Sequence, residues 1–435
     1  MNDWDLIVIG AGAAGLMAAA SAGQRGLRVL LLEKNRKLGV KILMSGGTRC
    51  NITHDCGVRE IVEAFGRQGK FLHSALSALP PLEVIKKIEG QGVATKIEST
   101  GKIFPVSDKA IDVRDALVGL AAEAGATILA ECAVQKIERL ESGFEIRTDQ
   151  DSFLARSLIV TTGGKSYPGC GTTGDGYGWA EQFGHTIVPT VPALVPILNT
   201  CPWANALKGI TIDKTVVNVW QPELAAASNL VLSKSERKKW RARSLAKRAG
   251  SFLFTHWGFS GPAVLDVSRE VARHPDRKSL ELICDFHPAR SVDQMREFLL
   301  AKKANDGKQL AGNLLNELFP KRLAESLLES ADVRLDMRNA ELSKSQIETI
   351  GTQIKQCRFA INGTLGFEKA EVTAGGVNLK EVDSKTMQSK VISDLYFAGE
   401  ILDLDGPIGG FNFQSAFSTG WLAGKSVLPA TSRAW

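Results

Sequence analysis

Two apolar runs near the amino terminus predict the first elements of the fold. Residues 5–10 (DLIVIG) and 28–33 (RVLLLE) are short and almost continuously apolar, a pattern typical of parallel strands that are covered on both faces. An alanine-rich stretch of helical length lies between them and ends near Arg25. The order strand, helix, strand predicts a βαβ unit and hence an α/β fold.

The turn between the first strand and the helix has the spacing GxGxxG. Gly10 permits a tight turn, Gly12 lets the backbone approach a pyrophosphate, and Gly15 allows the helix to pack closely on the strand. The helix start offers unpaired amides to phosphates, and Glu33 can accept both hydroxyls of an adenosine ribose. The alternative is a βαβ unit without a ligand. This unit alone does not separate FAD from NAD.

Three further segments favour a flavin. They are a glycine-rich polar loop, a strand that ends in paired glycines, and a carboxy-terminal strand followed by a glycine pair at a helix start, namely residues 39–53, 159–177 and 395–426. The start of that last helix would stabilise the negative charge that a flavin acquires on reduction.

With these segments the chain resembles the bacterial BaiN/RdsA-like FAD-binding oxidoreductases, also called the aminoacetone oxidase family. The matching motifs are GAGAAGL, SGGTRCNIT, TGGKSYP with TTGDGY, THWGFSGPA, VTAGGV, TMQSK and YFAGEILDLDGPIGGFNFQ. The resemblance implies a glutathione-reductase-type Rossmann FAD domain that is interrupted by an insert.

Together with the motifs, the resemblance implies a set of FAD contacts drawn from both ends of the chain. For Val134, in a short Cys-Ala-Val motif, it implies a backbone contact to adenine. The implied contacts are Gly10, Gly12, Ala13, Ala14, Gly15, Glu33, Lys34, Ser45, Gly46, Gly47, Arg49, Cys50, Asn51, Val134, Thr162, Gly163, Gly399, Glu400, Asp403, Gly409, Gly410, Phe411 and Asn412.

The one further GxGxxG spacing, at residues 169–174, does not directly follow an apolar strand-like run, so a dedicated NAD(P)H domain is not expected. A nicotinamide that reduces the flavin would dock transiently, and another electron donor stays open.

A proline-rich stretch between Pro189 and Pro202 marks a predicted domain boundary. We expect the FAD domain to comprise residues 1–190 and 365–435, with an insert domain at 191–364. The insert is predicted to be β-rich at about 191–290 and 355–364, and helical at about 291–354. Within the helical part, the apolar periodicity is clearest at 294–301 and 310–318.

Composition excludes several other classes of protein. The seven cysteines are odd in number and scattered, as expected of reduced thiols in a cytoplasmic protein. No zinc-ligand spacing occurs, so no metal is expected. Apolar stretches stay short of the ~20 residues that a membrane span needs, and the amino terminus lacks the features of a signal peptide.

The positive charge is local. Formal net charge is +6; residues 234–248 carry eight basic residues and one acidic residue (+7), which leaves −1 for all the others. Ser233 and Glu236 read as a capping box, which predicts a short helix. This helix would be either a solvated surface element or an RNA contact, with Trp240 stacked on a base. The RNA-contact candidates are Arg237, Lys238, Lys239, Trp240, Arg241, Arg243, Lys247 and Arg248.

Three side chains are candidates for catalysis. Cys50 would donate a proton to a reduced carbon, or would only pack against FAD; its spacing from Cys56 does not favour a redox disulfide. His256 would serve as an acid or base, or would cap the Ser-Gly-Pro turn. Tyr167 would line the cavity on the substrate side of the flavin, which the His256 motif would also approach, or would pack in the core.

Three functions follow from this resemblance and the local charge. Some members of the family are associated with forming dihydrouridine in large-subunit ribosomal RNA, and we favour reduction of a uracil base there. The second is a small-molecule reaction, either oxidation of an amine such as aminoacetone or reduction of an enone. The third is a non-enzymatic, FAD-bound redox sensor.

Overall fold

The computed structural model describes residues 3–222 and 244–429. The chain divides into two compact units: residues 1–192 with 370–435, and residues 193–369. The chain therefore leaves the first unit, builds the second, and returns to complete the first.

The first stretch of the chain alternates strands and helices. Its strands are β1 (Asp3–Ile9), β2 (Val29–Leu32), β3 (Thr53–His54), β4 (Thr95–Ile97), β5 (Lys102–Pro105), β6 (Thr127–Leu129), β7 (Val134–Leu140), β8 (Gly143–Thr148), β9 (Ser152–Val160) and β10 (Ile187–Ala193). Its helices are α1 (Ala13–Gly23), α2 (Val40–Met44), α3 (Val58–Ala64), α4 (Gly69–Ala78), α5 (Pro81–Gly90), α6 (Ala110–Glu123) and α7 (Asp175–Gln182).

The second unit has strands and short helices in its first part, three longer helices between residues 292 and 355, and two strands at its end. Its strands are β11 (Ile197–Leu198), β12 (Thr211–Trp220), β13 (Ser244–Phe254), β14 (Gly258–Ser260), β15 (Glu281–Asp285), β16 (Cys357–Ala360) and β17 (Gly363–Thr364). Its helices are α8 (Pro202–Ala206), α9 (Pro262–Leu265), α10 (Ser268–Arg273), α11 (Val292–Asn305), α12 (Lys321–Glu329) and α13 (Lys344–Lys355).

The returning chain adds β18 (Val372–Val377), β19 (Leu395–Phe397) and α14 (Phe411–Ser426) to the first unit. Helix α14 spans 16 residues. Within residues 3–222 and 244–429, no helix combines the length and apolarity that a membrane crossing requires.

The main sheet of the first unit has the order β6-β2-β1-β9-β8-β7, and β19 lies beside β9. Strand β1 runs parallel to both β2 and β9, and β19 runs parallel to β9. Leu6, Ile7 and Val8 in β1 are fully buried, which explains the nearly continuous apolar run in the sequence. The predicted Rossmann-type α/β class is confirmed.

Helix α14 packs along α1 with little space between their backbones. A Cβ atom on Gly420 would lie 2.1 Å from the carbonyl oxygen of Ala14, and one on Gly424 would lie 2.2 Å from that of Ala18. The helix that follows the first glycine turn is therefore locked to the last helix of the chain.

The second unit is built on an antiparallel sheet in the order β16-β15-β12-β13-β14-β11-β17. Buried phenylalanines fill its core, and the ring centroids of Phe252 and Phe254 lie 4.9 Å apart. Helices α11, α12 and α13 fall between residues 292 and 355, where the sequence periodicity indicates helix.

One helical segment expected from the sequence is wrong. Residues 310–318 form a short 3-10 turn at Ala311–Asn313 followed by further turns, not an α-helix. Leu314 and Leu315 are almost fully buried, so the apolar spacing that resembles a helix serves a compact turn packed on the core. Pro320 then caps α12.

The short helix expected from Ser233 and Glu236 starts at residues that the structure does not describe. Residues 233–243, with Arg237, Lys238, Lys239, Trp240, Arg241 and Arg243, lie outside the described residues. The remaining residues of the segment belong to β13, where Lys247 and Arg248 pair with Asn218 and Val217 of β12 and are exposed. Pairing with the preceding strand therefore overrides the local preference for a helix in this part.

A buried histidine in the first unit gives a pH-dependent stability. His185 lies 2.8 Å from Ser389 Oγ through Nε2 and 3.4 Å from Glu381 through Nδ1. Burial lowers its pKa, against the opposing effect of Glu381. The unfolded chain, with an ordinary histidine pKa of about 6.5, therefore binds more protons than the folded protein below that pH.

We expect the free energy of unfolding to fall as the pH decreases from about 6.5 towards the lower pKa of folded His185. His185→Gln does not titrate, and its stability should depend less on pH in that interval. Urea unfolding of both proteins above and below about pH 6.5 measures the difference. Identical pH profiles for the two proteins would contradict this assignment.

Candidate active site

The glycine turn at the start of α1 has the geometry of a phosphate-binding loop. Gly10 has φ of +101°, and a Cβ on Gly15 would lie 1.9 Å from the Gly10 carbonyl oxygen. A Cβ on Gly12, in contrast, would meet nothing within 4 Å. Gly12 is the N-cap of α1 and supplies no side-chain cap, so the start of the helix leaves room for a phosphate beside Gly12.

Glu33 is oriented by the turn that it is predicted to serve. One carboxylate oxygen accepts the Ala11 N–H at 2.8 Å, and the other accepts the backbone and side-chain N–H groups of Asn35 at 2.9 and 2.8 Å. The Glu33 carbonyl accepts the Cys132 N–H at 2.9 Å. The end of β2 is thereby joined to the chain that enters β7 at Val134, the predicted adenine contact.

Lys34 links the end of β2 to a second segment of the first unit. Its ammonium donates to Asp175 at 2.5 Å and to Thr173 at 2.8 Å, and so connects the end of β2 to the start of α7. Its contact with FAD stays a prediction.

The glycine-rich loop after α2 is held in left-handed backbone conformations. Gly46, Gly47, Thr48 and Cys50 have φ of +55°, +67°, +70° and +59°, and the Cys50 N–H donates to the Ser45 carbonyl at 3.1 Å. Left-handed conformations cost free energy for Thr48 and Cys50, and such strain clusters at ligand sites.

This loop meets the start of α14 directly. The absent side chain of Gly410 leaves room for the Thr53 backbone, which a Cβ would approach to 2.6 Å. With its amide oxygen turned to Gly410, Asn51 accepts the Gly410 N–H at 2.9 Å. The His54 ring stacks on Phe411 with centroids 5.0 Å apart. Two segments predicted from distant parts of the sequence are therefore in contact.

The side chains of Asp403 and Asn412 form hydrogen bonds that hold the backbone leading into α14. Asn412 accepts the Gly406 N–H at 2.8 Å and donates to the Gly406 carbonyl at 3.0 Å. Asp403 accepts from the Gln68 side chain at 3.0 Å. These contacts order the backbone before Gly409, which is the part the glycine pair would offer to a flavin.

Thr162, Gly163 and Gly399 lie where β9 and β19 end. Gly163 and Gly399 have φ of +74° and +80°, and a Cβ on Gly399 would lie 2.7 Å from the Ala14 Cβ. The Thr162 hydroxyl oxygen is buried, and it has no hydrogen-bond partner in the described part of the chain. A buried hydroxyl that lacks a partner among the described residues, at the carboxyl edge of a parallel sheet, is suited to bind a ligand.

Sequence reasoning missed Lys41, on the one-turn helix α2. Its ammonium forms an ion pair with Glu400 and donates to Ser166 Oγ at 2.6 Å. Ser166 in turn donates to Glu400 at 2.6 Å. The motif context offered no signal for this residue, because a lysine after a glycine turn reads as an ordinary surface residue.

The three catalytic candidates lie in different surroundings. Cys50 is fully buried, which raises the pKa of its thiol to about 12, so it is a neutral thiol at neutral pH. Tyr167 is half-buried with φ of +51°, and it follows Ser166 directly. His256 lies in the second unit, exposed at the turn between β13 and β14, where its ring contacts Trp257. Their catalytic roles stay predictions.

His256 does not itself close that turn. The Gly258 N–H donates to Thr255 Oγ1 at 3.1 Å, and the Thr255 N–H donates to the Gly258 carbonyl at 2.8 Å. Thr255 therefore closes the turn between β13 and β14, and the capping of the Ser260-Gly261-Pro262 turn by His256 stays a prediction.

Arg49 is engaged within the protein. It pairs with Glu98, lies 2.8 Å from Asp108, and its guanidinium carbon sits 4.0 Å from the centre of the Phe104 ring. These partners hold the loop from outside, and a contact between Arg49 and FAD stays a prediction.

FAD fits the residues that are present. The open space beyond Gly12 at the start of α1 suits a pyrophosphate, Glu33 suits a ribose, and the glycine pair at α14 suits a flavin. Across residues 3–222 and 244–429, no cluster of acidic, histidine and cysteine side chains is suited to a metal ion.

The two-ended dinucleotide fold and its glycine turns define a Rossmann-type FAD-dependent oxidoreductase. The chain belongs to the HI0933-like Rossmann family, whose model matches residues 4–426.

Three named relatives match nearly the whole chain. The ribosomal RNA dihydrouridine synthase of Haemophilus influenzae is 34% identical over 97% of this chain and 98% of its own length. The protein of the same name from Escherichia coli K12 is 33% identical over 99% of this chain and 100% of its own. The 3-dehydro-bile acid delta(4,6)-reductase of Clostridium scindens is 31% identical over 97% and 98%.

Proposed function

We propose that this protein reduces a uracil base of large-subunit ribosomal RNA to dihydrouridine. The observation that carries the proposal is its end-to-end similarity to two relatives named ribosomal RNA dihydrouridine synthase. The third relative is named as a reductase of a keto compound. The uracil C5–C6 bond is likewise conjugated to a carbonyl, so one kind of chemistry accounts for all three names.

The protein's part in this reaction is binding and orientation. Bound FAD in its reduced form supplies the hydride. The chain's own residues hold the cofactor at the carboxyl edge of the sheet. A uracil in folded RNA has to leave its stack to reach such a site. NAD(P)H is the proposed electron donor, docking transiently.

Exposed basic side chains support an RNA substrate. Lys247 and Arg248 are exposed on β13 and belong to the basic segment 234–248. Lysine and arginine that neutralise phosphates release counterions, so binding would weaken steeply with salt. If this segment carries the contact, Lys247→Glu/Arg248→Glu lowers the affinity for a ribosomal RNA fragment and reduces its salt dependence.

Mass spectrometry of ribosomal RNA tests the proposal. A strain lacking this protein should lose one dihydrouridine from its large-subunit RNA, and the wild-type gene should restore it. A gene carrying Gly12→Asp, whose product is expected to lack FAD, should not restore it. Unchanged dihydrouridine content in the deletion strain would refute the RNA substrate.

Reduction of a small-molecule enone is the second candidate function, favoured by the similarity to the Clostridium scindens reductase. The two functions differ in what reoxidises the reduced flavin. In anaerobic stopped-flow measurements, rapid reoxidation by a steroid enone together with no reoxidation by ribosomal RNA would favour the enone reductase.

A further inference from the structure

We propose that Lys41 binds the carbonyl oxygen of the substrate and that Tyr167 and Met44 flank the ring that carries this carbonyl. The inference rests on the proposed reduction of a double bond conjugated to a carbonyl, and it applies to a uracil and to an enone alike. Three features of the first unit carry it: a cation held by buried partners, an N–H group of that cation that the described residues do not use, and an aromatic and a thioether residue beside it in the chain.

The position of the Lys41 ammonium is fixed by hydrogen-bonded residues, two of which are fully buried. It forms an ion pair with Glu400 and lies 2.6 Å from Ser166 Oγ. Glu400 is held in turn by the Ser166 hydroxyl at 2.6 Å and the Thr373 N–H at 2.9 Å. Ser166 and Thr373 are fully buried. Because Glu400 has three donors from different segments, Lys41 is presented in a single orientation.

Lys41 retains the capacity to donate outward. An ammonium has three N–H donors, and in the part of the chain that the structure describes only two of them are used. A quarter of the Lys41 side chain is exposed. The group also lies at the correct edge, since Ser166 follows β9 and Glu400 follows β19 at the carboxyl ends of two neighbouring parallel strands, where α/β sheets bind ligands.

An aromatic residue and a thioether residue lie next to Lys41 and its partner Ser166 along the chain. Tyr167 follows Ser166 in a left-handed conformation, and its backbone carbonyl accepts the Cys170 N–H at 2.8 Å. Cys170 Sγ lies 3.0 Å from Met44 Sδ, one turn along α2 from Lys41. Met44 is 47% exposed. Aromatic and apolar side chains of this kind hold a flipped base by stacking.

This arrangement matches the charge that develops during reduction. When the carbon β to the carbonyl takes up hydride, the π electrons of the double bond move onto the carbonyl oxygen. The Lys41 ammonium then faces an oxyanion, and a fixed donor stabilises it without reorganisation. The α carbon next takes a proton from solvent, so the substrate gains one hydride and one proton, and Lys41 keeps its own.

Phenols test this site without turnover or RNA, because a phenolate combines a planar ring with an oxyanion. We expect FAD-bound wild-type protein to bind para-chlorophenol as its phenolate, with a long-wavelength charge-transfer absorption. Lys41→Met should weaken this binding at least tenfold, or by about 1.4 kcal/mol, while its affinity for FAD stays unchanged. Lys302→Met, which removes a lysine paired with Asp306 and Glu317 in the second unit, is the matched control.

Two results would overturn the inference: phenolate binding to Lys41→Met equal to wild type, or loss of FAD from that variant, since Lys41 would then serve the cofactor. If Lys41→Met does not fold, Lys41→Arg decides. It keeps the charge beside Glu400 but moves the outward N–H, and undiminished phenolate binding contradicts the proposal. Unchanged dihydrouridine in a deletion strain would refute the RNA substrate and leave these measurements valid.

Discussion

Gly12→Asp should abolish FAD binding without lowering the stability of the apoprotein. A Cβ at this position meets nothing within 4 Å, and Gly12 has φ of −82°, so the fold accepts a side chain there. Aspartate is a favourable N-cap, worth a few tenths of a kcal/mol more than glycine. The same carboxylate would occupy the space above the first turn of α1 and would repel a pyrophosphate.

We expect the affinity for FAD to fall by about 1,000-fold or more, which corresponds to ~4 kcal/mol. Fluorescence titration of the apoprotein with FAD measures the affinity, and thermal unfolding of the apoprotein measures the stability. Gly90→Asp is the control, because Gly90 is exposed at the end of α5 and a Cβ there also meets nothing within 4 Å. A Gly12→Asp protein that purifies with bound FAD would contradict the placement of the cofactor.

Gly420→Val should destabilise the first unit more than any surface substitution. Its Cβ would lie 2.1 Å from the Ala14 carbonyl oxygen, so α14 and α1 would have to separate. Overpacking of this kind costs about 1–3 kcal/mol and occasionally more. FAD binding should weaken as well, since the turn at Gly10 and the glycine pair before Phe411 lie at the starts of these two helices.

The unfolding midpoint in urea measures the effect of Gly420→Val. The matched control is Lys425→Val on the same helix, where the side chain is exposed and a surface change usually stays within about 0.5 kcal/mol. If Gly420→Val unfolds at the same urea concentration as the wild type, the two helices tolerate separation. That result would contradict the expectation that their close packing positions the FAD-binding turns at both chain ends.

The local sequence was sufficient to predict structure where the residues that determine the conformation lie close together in the chain. The run from Asp5 to Glu33 predicts strand, turn, helix and strand, because the glycines and the apolar positions act within one βαβ unit. It was insufficient at Leu310–Leu318, where helical spacing belongs to a buried turn, and at Lys247 and Arg248, where pairing with β12 places a basic run in a strand.

The candidate site shows the same division. The glycine turns and Glu33 are visible in the sequence because backbone conformation and strand ends carry their roles. Lys41 was invisible, since its partners Ser166 and Glu400 lie 125 and 359 positions away. The contact between the loop at Thr53 and Gly410 spans a similar separation, and only the folded chain brings the two together.

By itself, then, the amino-acid sequence determined that this chain builds a dinucleotide fold, because short-range spacing of glycine, apolar and acidic residues is enough to form a phosphate-binding turn. The further glycine-rich segments, through their resemblance to a family of FAD-binding oxidoreductases, indicated the cofactor. The tertiary structure alone decided which cation stands at the carboxyl edge of the sheet and what holds it. Side chains from α2, the chain after β9 and the chain after β19 become neighbours only when the parallel strands align and α14 closes on α1.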